Sequence, residues 1–417
     1  FGGQHIWKAA PVVLETLREH GRLLSTKDIV HSYPHCWRHK TPVIFRAAAQ
    51  WFVRMDEGQG VFTTNKADKT LRQLALDAID QTSFYPENGR ARLRDMIANR
   101  PDWCISRQRN WGVPLPFFLH KITGELHPDT LAFIDRAADL VQQGGVEAWA
   151  KLDVAEWLGA EAEEYSKSTD ILDVWFDSGS TFFHVLNPEQ GSHPTAGHAQ
   201  GPEADLYLEG HDQHRGWFHS SLLVACAIYG RAPYKGLLTH GFTVDSQGRK
   251  MSKSLGNFIT VHDLLSKGVR GEVIRFALLS TRYNEPLDWS EKLLADAKKV
   301  IDRLYRIAPL ASGEVNTEVL DALRDNLNTP KAIAILQTLT GPELKATANY
   351  LGFLTQTAEG WFQGEGEDTL WIEVQIDARN AAKKAKDFAK SDEIRDLLKA
   401  KGIILEDSAT GTTWRRG

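Results

Sequence analysis

The chain has 417 residues, 42% of them hydrophobic and 25% charged, with a formal net charge of −5, which is ordinary globular composition with room for two to four domains. That acidic balance excludes reading a nucleic-acid partner from overall charge, so any such contact must use local basic patches. The three scattered cysteines, Cys36, Cys104 and Cys226, exclude a disulfide framework and point to a reducing, cytoplasmic setting, while no secretory start and no apolar run near ~18 residues is visible, so no membrane partner is expected.

From the start, Val12, Val13, Leu14 and Leu17 among charged residues predict a short helix over 9–20, stopped at Gly21. The next stretch is His31-Ser32-Tyr33-Pro34-His35-Cys36-Trp37-Arg38-His39-Lys40. Cys36 and His39 have the spacing of half a zinc site, but no second Cys-x2-Cys or Cys-x2-His pair occurs, so a packed, hydrogen-bonded loop is favoured over zinc. This string, with Thr41-Pro42-Val43-Ile44-Phe45-Arg46 and Gln50-Trp51-Phe52-Val53, resembles the segment of isoleucyl-tRNA synthetases in which the chain returns from the inserted editing domain to the catalytic core. The resemblance implies that residues 1–45 are a remnant of that insert and its return, with most of the insert upstream of Phe1.

Residues 66–99 read as helical, with Leu71, Leu74, Ala75 and Ile79 at helix spacing and Tyr85-Pro86 breaking the run. Residues 99–114 then combine tryptophans, prolines and the three arginines Arg100, Arg107 and Arg109. Arginine in such a setting suits phosphate or an RNA backbone, although a Trp-stabilised surface loop has the same composition. Ile105-Ser106-Arg107-Gln108-Arg109-Asn110-Trp111-Gly112-Val113-Pro114 is similar to the ISRQRxWGVP stretch of isoleucyl and related synthetases, which lies near the active site. Val113–Leu119 reads as a strand entering the sheet, Lys121–Glu125 as a hairpin turn, and Leu131–Leu158 as helix interrupted at Gly144-Gly145. Asp170–Ser180 reads as a strand end opening on a cleft, with Asp173 and Asp177 better suited to capping the loop than to acid–base work. The string resembles the family's DVWFDSG, which implies that Trp175 walls the amino-acid side-chain pocket.

A strand over Leu206–Leu208 runs into Glu209-Gly210-His211-Asp212-Gln213-His214-Arg215-Gly216-Trp217-Phe218, and Arg215–Tyr229 reads as an apolar helix. Ligands of open α/β sheets bind at such crossings, and carboxylates there suit ribose hydroxyls or an ammonium group. The string resembles EGSDQHRGWF of isoleucyl enzymes, departing at His211 where the family usually has serine. By that resemblance Glu209, Gly210, Asp212 and Gln213 hold the ribose and aminoacyl parts of an adenylate, and Trp217 lines the side-chain pocket with Trp175. After a strand over Leu237–Asp245 and a turn at Gln247-Gly248-Arg249 comes Lys250-Met251-Ser252-Lys253-Ser254-Leu255-Gly256-Asn257. Two ammonium groups three residues apart, two hydroxyls and a Gly-Asn exit suit a mobile clamp on a polyphosphate. It resembles the KMSKS signature of class I aminoacyl-tRNA synthetases. The resemblance implies that the loop closes over ATP, accompanied by Mg2+, with Met251, Ser252 and Ser254 at the nucleotide and Lys250 and Lys253 acting electrostatically on its phosphates.

Beyond this loop the match changes. Phe258–Leu265, Gly271–Ser280 and Pro286–Ser290 are similar to the sequence that follows KMSKS in cysteinyl-tRNA synthetases. Residues 291–307 predict an amphipathic helix with Leu293, Leu294, Ala297, Val300, Ile301, Leu304 and Tyr305 on one stripe. Asn326–Ala332 starts another, with Thr329 ahead of Pro330. Ser391 reads as a helix start and Gly402 as its stop. Residues 373–417 hold ten Lys/Arg against eight Asp/Glu, a local reversal of the acidic balance. Gly402–Asp407 and Gly411–Arg416 resemble the cysteinyl C-terminus, in which Trp414 offers a stacking face and Arg415 and Arg416 suit RNA phosphate or base edges, unless the tail is simply disordered.

The fold class expected is α/β, the second half of a class I synthetase Rossmann-type nucleotide-binding fold, followed by an α-helical tRNA-binding bundle and a small C-terminal domain. The division expected is 1–45 for the insert remnant, 46–257 for the catalytic half, 258–312 for a stem-contact region, 313–372 for an anticodon-binding bundle and 373–417 for a terminal tRNA-binding domain. The cysteine and histidine ligands of a cysteinyl zinc pocket are not evident, so isoleucine is favoured over cysteine as substrate and zinc is not expected. The family's HIGH motif is also not found in these residues. Three alternatives stand: a synthetase activating isoleucine with ATP and transferring it to tRNA, a non-catalytic tRNA-binding fragment, and a recombinant hybrid without independent activity.

Overall fold

The computed structural model describes residues 1–36, 39–45, 47–57, 69–187, 202–363, 369–408 and 411–416. Trp37, Arg38 and Arg46, the side chain of Ser254, and the first three residues of the helical run expected over 66–99 lie outside the described residues. Two compact units are formed, residues 1–51 and 52–417.

In the first unit the predicted helix is Ile6–Glu19, and Gly21, with φ +62, lets the chain turn away after it. His35 pairs with Pro42, and Cys36 N–H donates to the Thr41 carbonyl at 2.8 Å.

The second unit is organised on a parallel sheet in the order Ser83–Tyr85, Tyr234–His240, Ala204–Gly210. Parallel strands need a crossover, and the helix Trp217–Tyr229 supplies it. This helix is largely apolar, with His219, Ser220 and Ser221 as its polar residues, and is buried from Phe218 through Cys226, as suits a helix covered on both faces. Leu71–Gln81 packs on it and Asn88–Ala98 beside it, giving a core that includes Ile79, Leu93, Phe218, Leu222 and Leu237. Thr70 and Gln73 form a capping box at the start of Leu71–Gln81. The helical run expected over 66–99 is therefore corrected: it is two helices separated by the strand Ser83–Tyr85. Three residues are too few to display alternation, and the pairing to Gly236–Leu238 that makes them a strand is long-range.

Val113–Leu119 does not enter that sheet. Phe118–His120 pairs antiparallel with Tyr165–Lys167 instead, and the residues before it, with Pro114 and Pro116 lacking N–H groups, make only an isolated bridge at Pro114. The turn after it forms as expected, with Gly124 at φ +73 donating to the His120 carbonyl. A satellite core of Phe118, Phe133, Trp149 and Leu158 lies under the helices Thr130–Gly144, Glu147–Lys151 and Val154–Leu158. Val174–Phe176, expected as strand, opens the helix Val174–Gly179 because the Asp173 carboxylate caps it at Trp175 N–H.

A third core joins the helices Gly271–Leu279, Glu291–Ile307, Thr317–Arg324, Thr329–Leu336 and Gly341–Tyr350 through Phe276, Ala297, Ile301, Leu304, Leu336 and Leu344. Glu272 is buried there, accepting from the Tyr305 hydroxyl at 2.8 Å, Leu354 N–H at 2.9 Å and Thr355 N–H at 3.0 Å. The cap of Thr329–Leu336 is Asn328, one residue before the expected Thr329. The fourth core packs Thr369–Lys384 and Phe388–Ala400 on the antiparallel hairpin Ile403–Ser408 and Gly411–Arg416. Asp387 caps Phe388–Ala400, so Ser391, expected as its start, is inside the helix and buried. Among the described residues no helix is long and apolar enough to cross a membrane.

Candidate active site

The carboxyl ends of the parallel strands bring the first set of predicted residues together. Ala204–Gly210 ends in register with His240, and the chain turns at once into a single 3-10 turn, His211–Arg215. Gly210 sits in a crowded place: a Cβ there would stand 2.8 Å from Asp212 Oδ1 and 3.0 Å from the Phe242 ring, so either side chain would have to give way. Gly216 is tighter still, with a Cβ falling 2.3 Å from Gln213 Oε1 and 3.0 Å from the Trp175 ring. Gln213 turns its Oε1 back to accept from Trp217 N–H at 3.0 Å, which fixes the turn to the helix that follows. Glu209 and Asp212 are exposed at this rim.

Trp175 and Trp217 lie on two helices that pack together, Val174–Gly179 and Trp217–Tyr229. Trp217 stacks flat on Tyr207 at 4.0 Å between centroids and donates from Nε1 to the Ser178 carbonyl at 2.9 Å. Trp175 is less covered, 43% exposed, and its ring edge approaches Gly216. Beside it opens a cleft of about 270 Å3 that includes Arg100, Arg107, Trp175, Arg215 and His219. Asp173 reinforces this wall by accepting from Trp103 Nε1 at 3.1 Å and pairing with Arg107 at 2.9 Å. Burial, aided by the Asp173 charge, pushes the Asp177 carboxyl up. It also pushes His219 down to about 3, with Arg100 and Arg215 adding to the shift. Burial holds the Tyr207 phenol up at about 12.

The lysine loop is tied down at its base and open at its tip. Asp245 accepts from the Arg249 guanidinium at 2.8 Å and from Asn257 Nδ2 at 3.0 Å, and these partners hold its carboxyl well below the usual range. Asn257 Oδ1 in turn accepts from Ser252 N–H at 2.9 Å, while Met251 N–H bonds the Thr243 carbonyl at 3.0 Å. Lys253–Leu255 forms a single 3-10 turn closed by Gly256 at φ +69. Lys250 reaches across to the strand end, 3.3 Å from Asp212 and 3.7 Å from the centre of the Phe242 ring. Lys253 is exposed, 5.8 Å from the Phe258 ring centre. Phe242 was not singled out in the sequence. A lone aromatic two residues past a strand carries no signal until the fold places it between Gly210, His211 and Lys250.

The remaining predicted residues divide. Trp414 is 5% exposed in the terminal core, so the stacking face expected of it is turned inward. Arg415 pairs with Glu406 at 2.9 Å and Arg416 donates to the Gln363 carbonyl at 2.9 Å, both partly exposed. In the first unit Cys36 Sγ and His39 Nδ1 stand 3.4 Å apart. His31 and His35 each set Nδ1 against a backbone carbonyl, and among the described residues no three His, Cys, Asp or Glu side chains gather as metal ligands.

The sequence profile of the family "tRNA synthetases class I (I, L, M and V)" matches residues 16–290. The chain belongs to the class I aminoacyl-tRNA synthetases. It is 59% identical over 308 residues to the isoleucine–tRNA ligase of Stutzerimonas stutzeri, covering 74% of this chain and 32% of that one. It is 54% identical over 335 residues to the isoleucine–tRNA ligase of Pseudomonas putida (strain GB-1), covering 80% and 34%. The chain thus spans about a third of the length of these relatives. Among solved structures, a Mycobacterium tuberculosis methionyl-tRNA synthetase bound by methionyl-adenylate overlaps 78% of this chain and 56% of its own, at 15% identity and a TM-score of 0.44. The family match runs past residue 257, where the resemblance was expected to change, and an aligned stretch of 335 residues cannot be contained within 1–257.

Proposed function

We propose that this chain carries the isoleucyl-type half-site of an aminoacyl-tRNA synthetase, which joins isoleucine to ATP as an aminoacyl-adenylate and passes it to tRNA. The observation that carries the proposal is the meeting of the loop and the strand end: Lys250 stands 3.3 Å from Asp212, which itself lies against Gly210. Carboxylates at a strand end suit ribose hydroxyls and the substrate ammonium, and the paired lysines suit phosphate. The two sets of residues therefore fit the two ends of an adenylate. In this reading Glu209, Gly210, Asp212 and Gln213 hold the ribose and aminoacyl parts, and Met251, Ser252 and Ser254 lie at the nucleotide. Lys250 and Lys253 stabilise the charge that develops on the phosphates when the isoleucine carboxylate attacks and pyrophosphate leaves. Magnesium brought in with ATP would spread the same charge. Trp175 and Trp217 give an apolar side-chain pocket, and such a pocket separates isoleucine from valine by only about 1–3 kcal/mol.

The chain's second half is proposed to hold tRNA. Its stem-contact region is 258–312, its bundle 313–372 and its terminal domain 373–417, with cysteinyl-type sequence and with Arg415 and Arg416 at the RNA. Residues 1–45 and 46–257 are proposed as the insert return and the catalytic half. The deciding experiment is calorimetric binding of non-hydrolysable isoleucyl-, valyl- and cysteinyl-adenylate analogues to the purified chain, alongside ATP–pyrophosphate exchange with each amino acid. Isoleucyl-analogue binding weakened at least tenfold by Asp212→Asn is expected, as is exchange abolished by Lys253→Ala. Preference for the cysteinyl analogue would overturn the pocket assignment. Analogue binding without exchange would leave the half-site but remove independent catalysis.

A further inference from the structure

Three distant stretches of sequence contribute cations to one place. Lys267 and Arg270 precede the helix Gly271–Leu279, Lys298 lies on Glu291–Ile307, and Arg415 and Arg416 end the last strand. The fold sets all five around a single cleft of about 320 Å3, walled by Trp361 and lined, among the described residues, by no carboxylate. In a chain of net charge −5, that is a strong local reversal.

The guanidinium groups are held from behind. Arg270 donates to the Trp361 carbonyl and lies over that indole at 4.4 Å. Arg416 donates from Nε to the Gln363 carbonyl at 2.9 Å, and Arg415 from Nε to Glu406 at 2.9 Å. Each bond engages one part of a five-donor fork and so fixes how the guanidinium plane stands at the cleft. Lys298 pairs with Asp302 at 2.7 Å across one helical turn, with its own side chain half exposed while Asp302 is largely buried and also accepts from Trp361 Nε1 at 2.8 Å. Lys267 is exposed at the mouth.

We propose that this cleft is a binding site for the phosphodiester backbone of RNA, gripping the strand jointly from the bundle and the terminal hairpin. The inference rests on the reading of the chain as a tRNA-binding synthetase and deepens it by naming where the backbone is held. Long side chains from three separate elements suit a row of singly charged phosphates. A compact polyphosphate is more often met by consecutive backbone N–H groups of a glycine-rich turn. With Trp361 2% exposed and so closed to stacking, the site reads charge and shape rather than base identity.

The test uses the full chain and the variant Lys267→Ala/Lys298→Ala, which removes two exposed ammonium groups and leaves the packed arginines in place. Binding of a tRNA transcript and of an unrelated stem–loop RNA of equal length is followed by fluorescence anisotropy from about 50 to 200 mM salt. Affinity for both RNAs should fall by roughly tenfold at the middle of that range, and the slope of log K against log salt should shrink by about 1–2 units. Arg415→Gln, with its melting temperature checked because it also frees Glu406, should act in the same direction. Unchanged affinity and slope would overturn the proposal, as would failure of the parent chain to bind either RNA. Loss of inorganic pyrophosphate competition without loss of RNA binding would mark a small-anion site instead. Adenylate-analogue binding is measured on the same samples. Its absence beside intact, salt-dependent RNA binding would count against the isoleucyl half-site and not against the cleft.

Discussion

Two aspartates paired with cations show two kinds of construction in this chain. Asp407 accepts from both Nη atoms of Arg379 at 2.9 Å, from Lys383 at 2.7 Å and from the Thr412 hydroxyl at 2.6 Å. Arg379 is 6% exposed. Among the described residues Asp212 has a single cationic contact, Lys250 at 3.3 Å, and both side chains are about half exposed. The first arrangement clasps the last hairpin to the helix Thr369–Lys384. The second contributes about 0–1 kcal/mol, so a ligand can take its place. The terminal hairpin is built to stay closed, and the lysine loop is built to exchange partners.

The largest effect expected from breaking this contrast is at the clasp. Asp407→Ala leaves the Arg379 guanidinium buried without its counter-charge, which should destabilise the hairpin by about 2–4 kcal/mol, less than a fully buried pair because Asp407 itself is half exposed. Hydrogen exchange of the amides in Ile403–Ser408 and Gly411–Arg416 measures this locally, and unchanged protection would erase the distinction between the two aspartates. The pH dependence has a definite sign. Arg379 first, then Lys383 and Thr412, hold the Asp407 carboxyl far below the usual carboxylate range. Its contribution is therefore fully present above the unfolded value near pH 4 and is lost only as pH falls below it.

A smaller effect is expected at His219, in the cleft beside Trp175. Burial, with the Arg100 and Arg215 charges, keeps this imidazole neutral in the folded chain down to about 3. The unfolded chain takes up the proton near pH 6.5, so stability is highest above that value and declines as pH falls toward 3, by at most about 1.4 kcal/mol per unit. Urea unfolding at pH 7, 6 and 5 should show His219→Gln losing less stability than the parent over this interval, by about 1–2 kcal/mol at pH 5. Parallel curves would mean that the cleft admits the charged imidazole.

How much of this was legible in the sequence depended on how local the cause was. The lysine loop, the turn at Gly210-His211-Asp212-Gln213 and the helix Trp217–Tyr229 are each specified by contiguous residues, and they stand where the strand-to-helix reading put them. Asp173 was legible as a cap, though the helix it caps was read as strand. Three of the misses have distant partners. Ser83–Tyr85 becomes a strand through residues about 150 positions later. Trp414 looked like a stacking platform on a tail until Ile372, Ile376, Ile394 and Leu398 enclosed it. The cationic cleft is divided among three stretches, none of them distinctive alone. Ser391 and Thr329 were both plausible caps, and Asp387 and Asn328 took the role because their side chains reach the N–H groups of Lys390 and Lys331.

The smallest expected change in stability tests the exchangeable pair itself. Asp212→Asn removes a charge but keeps the side chain's shape beside Gly210, and because the contact with Lys250 is exposed the unfolding midpoint should move by no more than about 0.5 kcal/mol equivalent. The lysine loop should respond more than the fold does. Lys250 would then keep, among the described residues, the Phe242 face at 3.7 Å, whereas the base of the loop keeps the Asp245–Arg249–Asn257 bonds. Hydrogen exchange at residues 253–256 should accelerate in Asp212→Asn, and again on adding Phe242→Leu, with exchange at Met251, Ser252 and Asn257 little changed. If the whole stretch from 243 to 257 opened together, the pair would be part of the loop's foundation rather than a contact it can give up. If only the tip responds, Lys250 is a side chain parked on Asp212 by a weak bond, available to a phosphate once a ligand takes the carboxylate.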